Sequence, residues 1–569
     1  VDATSDSTLD AALHGRFLRG VELAPRNDAV RVGADAIGYE EAHERALEWA
    51  GALSAAVAGP PGAVAVLAAK GVRAYVGILA ALYAGATVVP LQPGFPVART
   101  RRMMRAAGVS AVIVDEAGWA QLPELLAPDP DGGPAFTAED PGAALPVLAP
   151  GCPAGALPGV VRIEPRPSGA LAAPRPVRPD DAAYMLFTSG STGRPKGVPI
   201  SHGSAAHYFR LQDERYDFTP DDVFSQTFDL NFDCAMFDLF CAWGSGATAL
   251  WVPPGAYREL PAFLAEHRMT VWFSTPSAIG LVRRLGGLAP GALPGLRWSF
   301  FAGEALTCRD AADWQAAAPG STLENLYGPT ELTITIAAHR WDPERSERIA
   351  VNGVVPIGRV NGGHAHLLLD EDGKPAEREG ELCVSGPQRT AGYLDPGDDA
   401  GRFLDHDGRV WYRTGDRVRR IGGDASDASD ASDGELAYLG RLDAQVQVAG
   451  WRVELPEVDH ALRGCEGVTE AVTVDVATEA GTELAVFYTG SAVPLSVFAR
   501  RLRPVLPQGM TPRHFWRLEE FPLNSNRKTD RGALRARARE LLNETPGPRT
   551  ADLRTTGTTG PRTTSTPTT

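Results

Sequence analysis

The chain has 569 residues, 44% hydrophobic and 22% charged, with a formal net charge of −15. That composition is ordinary for a globular protein, and the length suits roughly three to four domain-sized units. The acidic balance excludes a nucleic-acid partner held on a general basic surface. The six cysteines, at 152, 234, 241, 308, 383 and 465, form no Cys-x-x-Cys pair. They read as reduced thiols of a cytoplasmic protein, not a disulfide frame or zinc site. The first residues are acidic and polar, so no signal peptide is expected. The uncharged stretch 74–98 is interrupted by Gly85, Pro90, Pro93 and Pro96. It reads as a helix followed by a strand and turn, not as a membrane span.

In chain order, residues 1–20 form a lead-in with a short amphipathic helix, and 39–53 carry a helical pattern. Segments 63–67, 72–85 and 87–91 read as strand, helix and strand, a βαβ unit that implies a parallel sheet. Residues 125–180, rich in Pro, Ala, Gly and Asp, read as a long irregular segment that is partly mobile. The apolar run 184–187 is a buried strand. Beyond it, strand and helix patterns alternate through 247–252, 257–267, 270–273, 277–285, 297–301, 309–317 and 322–326, the rhythm of a doubly wound domain. Ligands in such sheets bind outside the carboxyl ends of the strands.

From 360 onward shorter strands at 364–369, 381–385 and 410–412 predict a small β-rich subdomain. The repeated Asp-Ala-Ser of 424–433 reads as a solvated low-complexity turn. Residues 444–543 form a smaller α+β unit, with strands at 445–449, 468–476, 484–488 and 514–518 and helices at 455–463, 494–505 and 530–542. Residues 545–569, mostly Thr, Pro, Gly and Arg, cannot build a core and are expected to be disordered.

One stretch organises the rest: Thr188-Ser-Gly-Ser-Thr-Gly-Arg-Pro-Lys196-Gly197. Gly190, Gly193 and Gly197 allow positive φ and close approach to a ligand. Thr188, Ser189, Ser191 and Thr192 add hydroxyl donors, and Lys196 adds a point charge. Amides and hydroxyls in a Gly-rich turn suit phosphate oxygens. The spacing of Gly, Lys and Ser/Thr differs from the P-loop of kinases and GTPases. Ser201 is the expected cap of the next helix.

A second motif, Asn325-Leu-Tyr-Gly-Pro-Thr-Glu331, follows a predicted strand. Tyr327 offers a ring face for a purine, Thr330 a donor to phosphate, and Glu331 a carboxylate suited to Mg²⁺. Tyr412-Arg-Thr-Gly-Asp416 ends in an acid able to bond both ribose hydroxyls.

Together these stretches resemble the adenylate-forming enzymes: nonribosomal-peptide adenylation domains, acyl- and aryl-CoA ligases and luciferases. The resemblance spans about residues 30–540, with five motifs in the expected order. It implies an α/β fold: a large N-terminal domain (1–442) with doubly wound sheets and a small β-rich subdomain, a mobile C-terminal α+β lid (443–544), and a disordered tail (545–569).

The resemblance also assigns roles. Thr188 to Gly193 and Lys196 hold phosphate, Tyr327 adenine, Thr330 the α-phosphate and Glu331 the metal. Asp416 holds the ribose, and Arg441 contacts ribose or phosphate. Asp443 is the hinge, and Gly450 lines the pantetheine path. Lys528 bridges the substrate carboxylate and the α-phosphate; Arg527 stands before it where the family usually carries Gly. The motif 85–93 with Arg99 matches an early family motif.

In Phe232-Asp233-Cys-Ala-Met-Phe237-Asp-Leu-Phe240, Asp233 matches the acid that pairs with the substrate ammonium in amino-acid-activating members. Asp229 is the alternative. The implied side-chain pocket is Cys234, Phe237, Phe273, Phe300, Ala302, Leu326, Ile334 and Thr335. It is shallow and apolar, with Cys234 or Thr335 able to accept one hydroxyl.

The implied function is ATP- and Mg²⁺-dependent activation of a small to medium neutral amino acid, then transfer to the phosphopantetheine thiol of a carrier protein in trans, since no condensation motif or carrier domain is found. The alternatives are a D-alanine–carrier protein ligase, where Ala302 replaces a common Cys, and an acyl- or aryl-CoA ligase, against which Asp233 argues. No nucleic-acid or membrane partner is expected.

Overall fold

The computed structural model describes residues 11–57, 59, 61–127, 144–153, 155–190, 194–421, 434–442, 445–478, 481–522, 529–544 and 550–552. The expectations for the Asp-Ala-Ser repeat and for 545–549 and 553–569 of the tail therefore fall outside the described residues, as do those for Ser191, Thr192, Gly193, Asp443 and Lys528. Within the tail, expected to be disordered over 545–569, Thr550–Asp552 instead forms a strand parallel to His514–Arg517.

Two large sheets face each other. The seven-stranded sheet is built on the βαβ unit read from the sequence. Ala63–Leu67 and Thr87–Leu91 pair in parallel, joined by the helix Val72–Tyr83. All five residues of Ala63–Leu67 are buried, as expected of a strand covered on both faces. Ten of the twelve residues of Val72–Tyr83 are buried between the sheets, which explains the uncharged stretch without a bilayer. No helix among the described residues is long and apolar enough to cross a membrane.

The segment 125–180 is less irregular than its composition predicts. Leu145–Leu148 and Val160–Ile163 extend this sheet at one edge, each in parallel register. Their Pro and Gly neighbours mask strands of only four residues.

The nine-stranded sheet runs Arg359–Val360, Ala337–Arg340, Thr322–Tyr327, Trp298–Phe301, Val271–Ser274, Val223–Gln226, Thr248–Trp251, Asp28–Val32, Asp35–Gly38. The six strands from Thr322–Tyr327 to Asp28–Val32 pair in parallel with one another. Their carboxyl ends therefore open on one side. The helix Cys234–Ser245, buried along its whole length, packs between the two sheets with the lead-in helix Gly15–Leu23 against it. Phe17 meets Trp243 and Tyr39 there, at ring distances of 5.2 Å.

The β-rich subdomain is a six-stranded antiparallel sheet. Its long strand Arg409–Ile421 extends well beyond the three residues read from the sequence, because polar residues alternate along its exposed face. The smaller C-terminal unit holds a four-stranded sheet (Val468–Thr478, Gly481–Gly490, His514–Arg517, Thr550–Asp552) and helices Leu455–Arg463, Leu495–Leu502 and Arg531–Glu544. Before it stands the hairpin Gln445–Val448 and Trp451–Glu454.

Candidate active site

A cavity of about 760 Å³ lies where the parallel strands end. It is walled by Phe228, Phe232 and Asp233 after one strand, Thr275 after the next, Ala302 to Ala305 after the third, and Leu326 to Thr330 after the fourth. The C-terminal hairpin closes it with Gln447, Gly450 and Arg452.

The Gly-rich loop sits in a hairpin. The strand Ala182–Thr188 pairs antiparallel with Lys196–Ser201, and only then does helix His202–Arg215 begin, so a six-residue strand separates loop and helix. Ser201 caps that helix as expected, its hydroxyl accepting from the Ser204 amide at 3.1 Å. Gly190 serves close approach: a Cβ there would stand 2.2 Å from the Arg194 carbonyl oxygen. Among the described residues, neither Gly190 nor Gly197 takes a positive φ. Thr188 pairs with Lys196 across the hairpin, and the Lys196 ammonium lies 3.7 Å from Asp398 and 5.2 Å from the centre of the Tyr393 ring.

Three residues expected to hold the nucleotide converge. Tyr327 donates its hydroxyl to Asp416 at 2.5 Å, and Arg441 donates to the other oxygen of the same carboxylate at 2.9 Å. These three groups come from two different sheets and meet on the cavity wall.

Asp233 begins the buried helix but makes no capping bond with its side chain. It faces the cavity. Burial raises its carboxyl from the ordinary carboxylate range to about 6, and the charge of Glu331 adds to this; hydrogen bonds from Thr330 and Cys234 act the other way. Among the described residues, no Lys, Arg or His forms an ion pair with it. Asp229 instead faces Lys70, at 3.4 Å.

Of the pocket residues read from the sequence, Cys234, Ala302, Leu326 and Ile334 line the cavity. Phe237, Phe273 and Phe300 form a plug behind it, with ring centroids 5.0 to 6.2 Å apart. The Thr335 hydroxyl is already paired with Tyr208, at 2.9 Å, so it is not spare for a substrate hydroxyl.

Glu331 is wholly buried. Burial alone would raise its pKa, but the Arg452 guanidinium and the Tyr393 hydroxyl outweigh it and hold the carboxyl at about 2. Arg452 reaches both its oxygens, at 2.8 and 3.1 Å, and Tyr393 donates at 2.6 Å. Among the described residues no cluster of His, Cys, Asp and Glu could hold a metal by itself. In the arrangement described Arg452 and Tyr393 take both its oxygens, so Glu331 would serve as one ligand of Mg²⁺, beside phosphate and water oxygens, only once Arg452 withdraws.

Three hydrogen bonds and the packing of Trp451 seat the hairpin and the helix that follows it. Ser189 donates to the Arg452 carbonyl at 2.5 Å, and the Gly450 amide donates to Glu304 at 2.9 Å. Arg99 donates to Glu457 at 2.6 Å, both side chains being buried. Trp451 packs on Phe95 and Phe232. Gly450 has φ +83°, and a Cβ there would stand 2.9 Å from Thr275 Cγ2, so only glycine passes at this turn.

The sequence profile of the AMP-binding enzymes matches residues 17–394. The chain belongs to this adenylate-forming family. It is 34% identical over 511 residues to an L-proline–[L-prolyl-carrier protein] ligase of Streptomyces coelicolor, covering 88% of this chain and 92% of that one. The crystal structure of IdnL7 shares 56% identity over 93% of this chain and 99% of its own, with a TM-score of 0.70. The Vibrio cholerae adenylation domain AlmE, in complex with glycyl-adenosine-5'-phosphate, shares 27% identity over 95% and 98% of the two chains, with a TM-score of 0.77.

Sequence reasoning about this AMP-binding enzyme missed Arg452, Glu304, Phe228 and Tyr393. Arg452 and Glu304 stand within stretches matched to the family, but their partners lie 121 and 146 residues away. Periodicity carries no signal at that range.

Proposed function

We propose that this AMP-binding enzyme activates a small to medium neutral amino acid as its aminoacyl adenylate and passes it to the phosphopantetheine thiol of a carrier protein in trans. The observation that carries the reading is Asp233, a cavity-facing carboxylate raised to about 6 with no cationic partner among the described residues. A substrate ammonium supplies that partner. The phenylalanine plug behind Cys234 and Ile334 limits the side chain to a short apolar group. The proline named for one relative and the glycyl adenylate bound to AlmE fall in the same class.

In the first step the amino-acid carboxylate attacks the α-phosphorus of ATP, a P–O bond forms, and the bond to pyrophosphate breaks. Tyr327, Asp416 and Arg441 hold the nucleoside, and Thr330 and the loop 188–196 face the phosphates. Lys528 balances the charge that builds on the pentavalent centre. Mg²⁺, taken up by Glu331, would neutralise phosphate charge. In the second step the thiol sulfur attacks the acyl carbon, AMP departs with the shared electron pair, and the thiol proton passes to solvent. We assign residues 1–442 to the core, 443–544 to the lid, and Asp443 to the hinge between them. In the arrangement described, the hairpin 445–454 faces the cavity, which suits the second step.

Amino-acid-dependent ATP–pyrophosphate exchange across glycine, L- and D-alanine, 2-aminobutyrate, valine, proline, phenylalanine and amine-free acids tests this. Exchange with one or a few small amino acids supports the reading. Exchange with amine-free acids alone would overturn it in favour of a CoA ligase. D-alanine as the best substrate would make the chain a D-alanine–carrier protein ligase.

A further inference from the structure

The wall of the amino-acid pocket contains a backbone conformation that its residues do not favour. Thr333 and Ile334 are consecutive, buried and β-branched, yet have φ of +57° and +69°. Left-handed backbone at β-branched residues persists only where the surroundings enforce it. Ile334 lines the cavity, two residues after the nucleotide turn that ends in Glu331 and Leu332.

The enforcement comes from two side-chain amides outside every motif read from the sequence. Gln388 is fully buried, and its Nε2 donates to the carbonyls of Leu332 at 3.0 Å and Thr335 at 2.9 Å, with Thr333 at 3.4 Å. The Thr333 hydroxyl donates back to the Gln388 carbonyl at 2.6 Å. Asn361, also buried, donates from Nδ2 to the Thr335 carbonyl and to Gln388 Oε1, each at 3.1 Å. Its own amide donates to the Ile336 carbonyl at 2.8 Å, and Arg215 holds its Oδ1 at 3.0 Å. From the other side Gly328 admits the loop: a Cβ there would stand 2.6 Å from the Thr335 Cα. The bonded carbonyls flank Ile334 on both sides, so releasing them frees the one residue whose side chain sets the depth of the pocket at this wall.

We propose that Gln388, braced by Asn361, is a positioning residue for amino-acid selection: it locks the left-handed Thr333–Ile334 turn and so fixes where Ile334 stops the substrate side chain. The proposal rests on the cavity being the amino-acid pocket. Neither amide touches the substrate; both act through Ile334. The lock also ties the pocket to the metal corner, since Thr390, two residues after Gln388, donates its amide to the Glu331 carbonyl at 2.8 Å.

The test is pyrophosphate exchange with a ladder of glycine, alanine, 2-aminobutyrate and valine on the full chain and on Gln388→Met, which keeps the volume but removes the donors. The expected result is a rise of about tenfold in KM for the best amino acid, ATP KM within about twofold, and a fivefold or greater compression of the preference between the shortest and longest side chains. A second variant separates locking from packing. Thr333→Gly accepts positive φ without enforcement, so in that background Gln388→Met should compress the preference by less than twofold. An unaltered ladder in a folded Gln388→Met protein, judged by its melting temperature, overturns the proposal. So does an equal rise in KM for ATP and every amino acid. If Gln388→Met does not fold, Asn361→Ala is measured on the same ladder, and an unaltered preference there overturns it as well. Exchange by the unaltered chain with none of the four amino acids would sink the pocket assignment itself, and the proposal with it.

Discussion

Two carboxylates, Asp233 on the cavity wall and Glu331 buried beside Thr330 of that wall, are pushed in opposite directions. Asp233 rises to about 6, while Glu331, more deeply buried, falls to about 2. Burial acts on both in the same sense, so the difference lies in their partners. Glu331 has a guanidinium across both oxygens and a tyrosine hydroxyl; Asp233 has a threonine hydroxyl and an amide. A buried anion whose cation is part of the chain is settled, and one whose cation is absent keeps a raised pKa until a ligand supplies it. The first kind reports on domain arrangement, because Arg452 arrives on the C-terminal hairpin. The second reports on substrate.

The largest effect is expected at a third charge, Lys528, which we propose meets the charge of the transition state. Lys528→Ala should reduce pyrophosphate exchange by about 10³-fold while ATP binding by calorimetry changes little. Unchanged turnover would remove Lys528 from catalysis and leave the carboxylates as the main determinants.

Asp233→Ala should raise the amino-acid KM by about 100-fold, in keeping with the loss of one partner of a desolvated charge pair, with ATP KM nearly unchanged. An equal effect on both substrates would mean that Asp233 supports the fold and does not meet the ammonium.

Arg452→Ala tests the settled carboxylate. It leaves Glu331 buried without a cation in the arrangement described, so that arrangement is disfavoured. Thiol transfer to a carrier protein should slow by about 30-fold, with pyrophosphate exchange altered less than threefold. Equal slowing of both steps would show that the pair serves stability and not the second step.

The smallest effect is a pH dependence. Asp233 is ionised above about pH 6 and neutral below it. The amino-acid KM should therefore be lowest above pH 6 and rise about tenfold per unit as pH falls further. Asp233→Asn should flatten this profile. A profile that persists in Asp233→Asn would assign the titration to another group.

Much of this site was legible in the sequence because its motifs are local. The strand Ala182–Thr188 with its Gly-rich turn lies within 182–197, and Tyr327 to Glu331 with its strand within 322–331. The two strands belong to different sheets, so each motif was legible by itself and their juxtaposition was not. The βαβ unit at 63–91 was equally plain, since burial on both faces leaves an unbroken apolar run.

What the sequence by itself determined was the chemistry at each strand end: which turn carries hydroxyls and a lysine, which carries a tyrosine and a glutamate, and which acid starts the buried helix. Only the tertiary structure decided how these ends are partnered. It put Phe237, Phe273 and Phe300 behind the pocket and not on its surface, and it consumed the Thr335 hydroxyl on Tyr208. It also brought Arg452 to Glu331 and Gln388 to the Thr333–Ile334 turn. The physical reason is range. Dihedral preference, capping and periodicity act over a few residues. A hydrogen bond or ion pair between distant segments depends on how sheets and hairpins pack, and that is fixed only when the whole chain buries its apolar surface together.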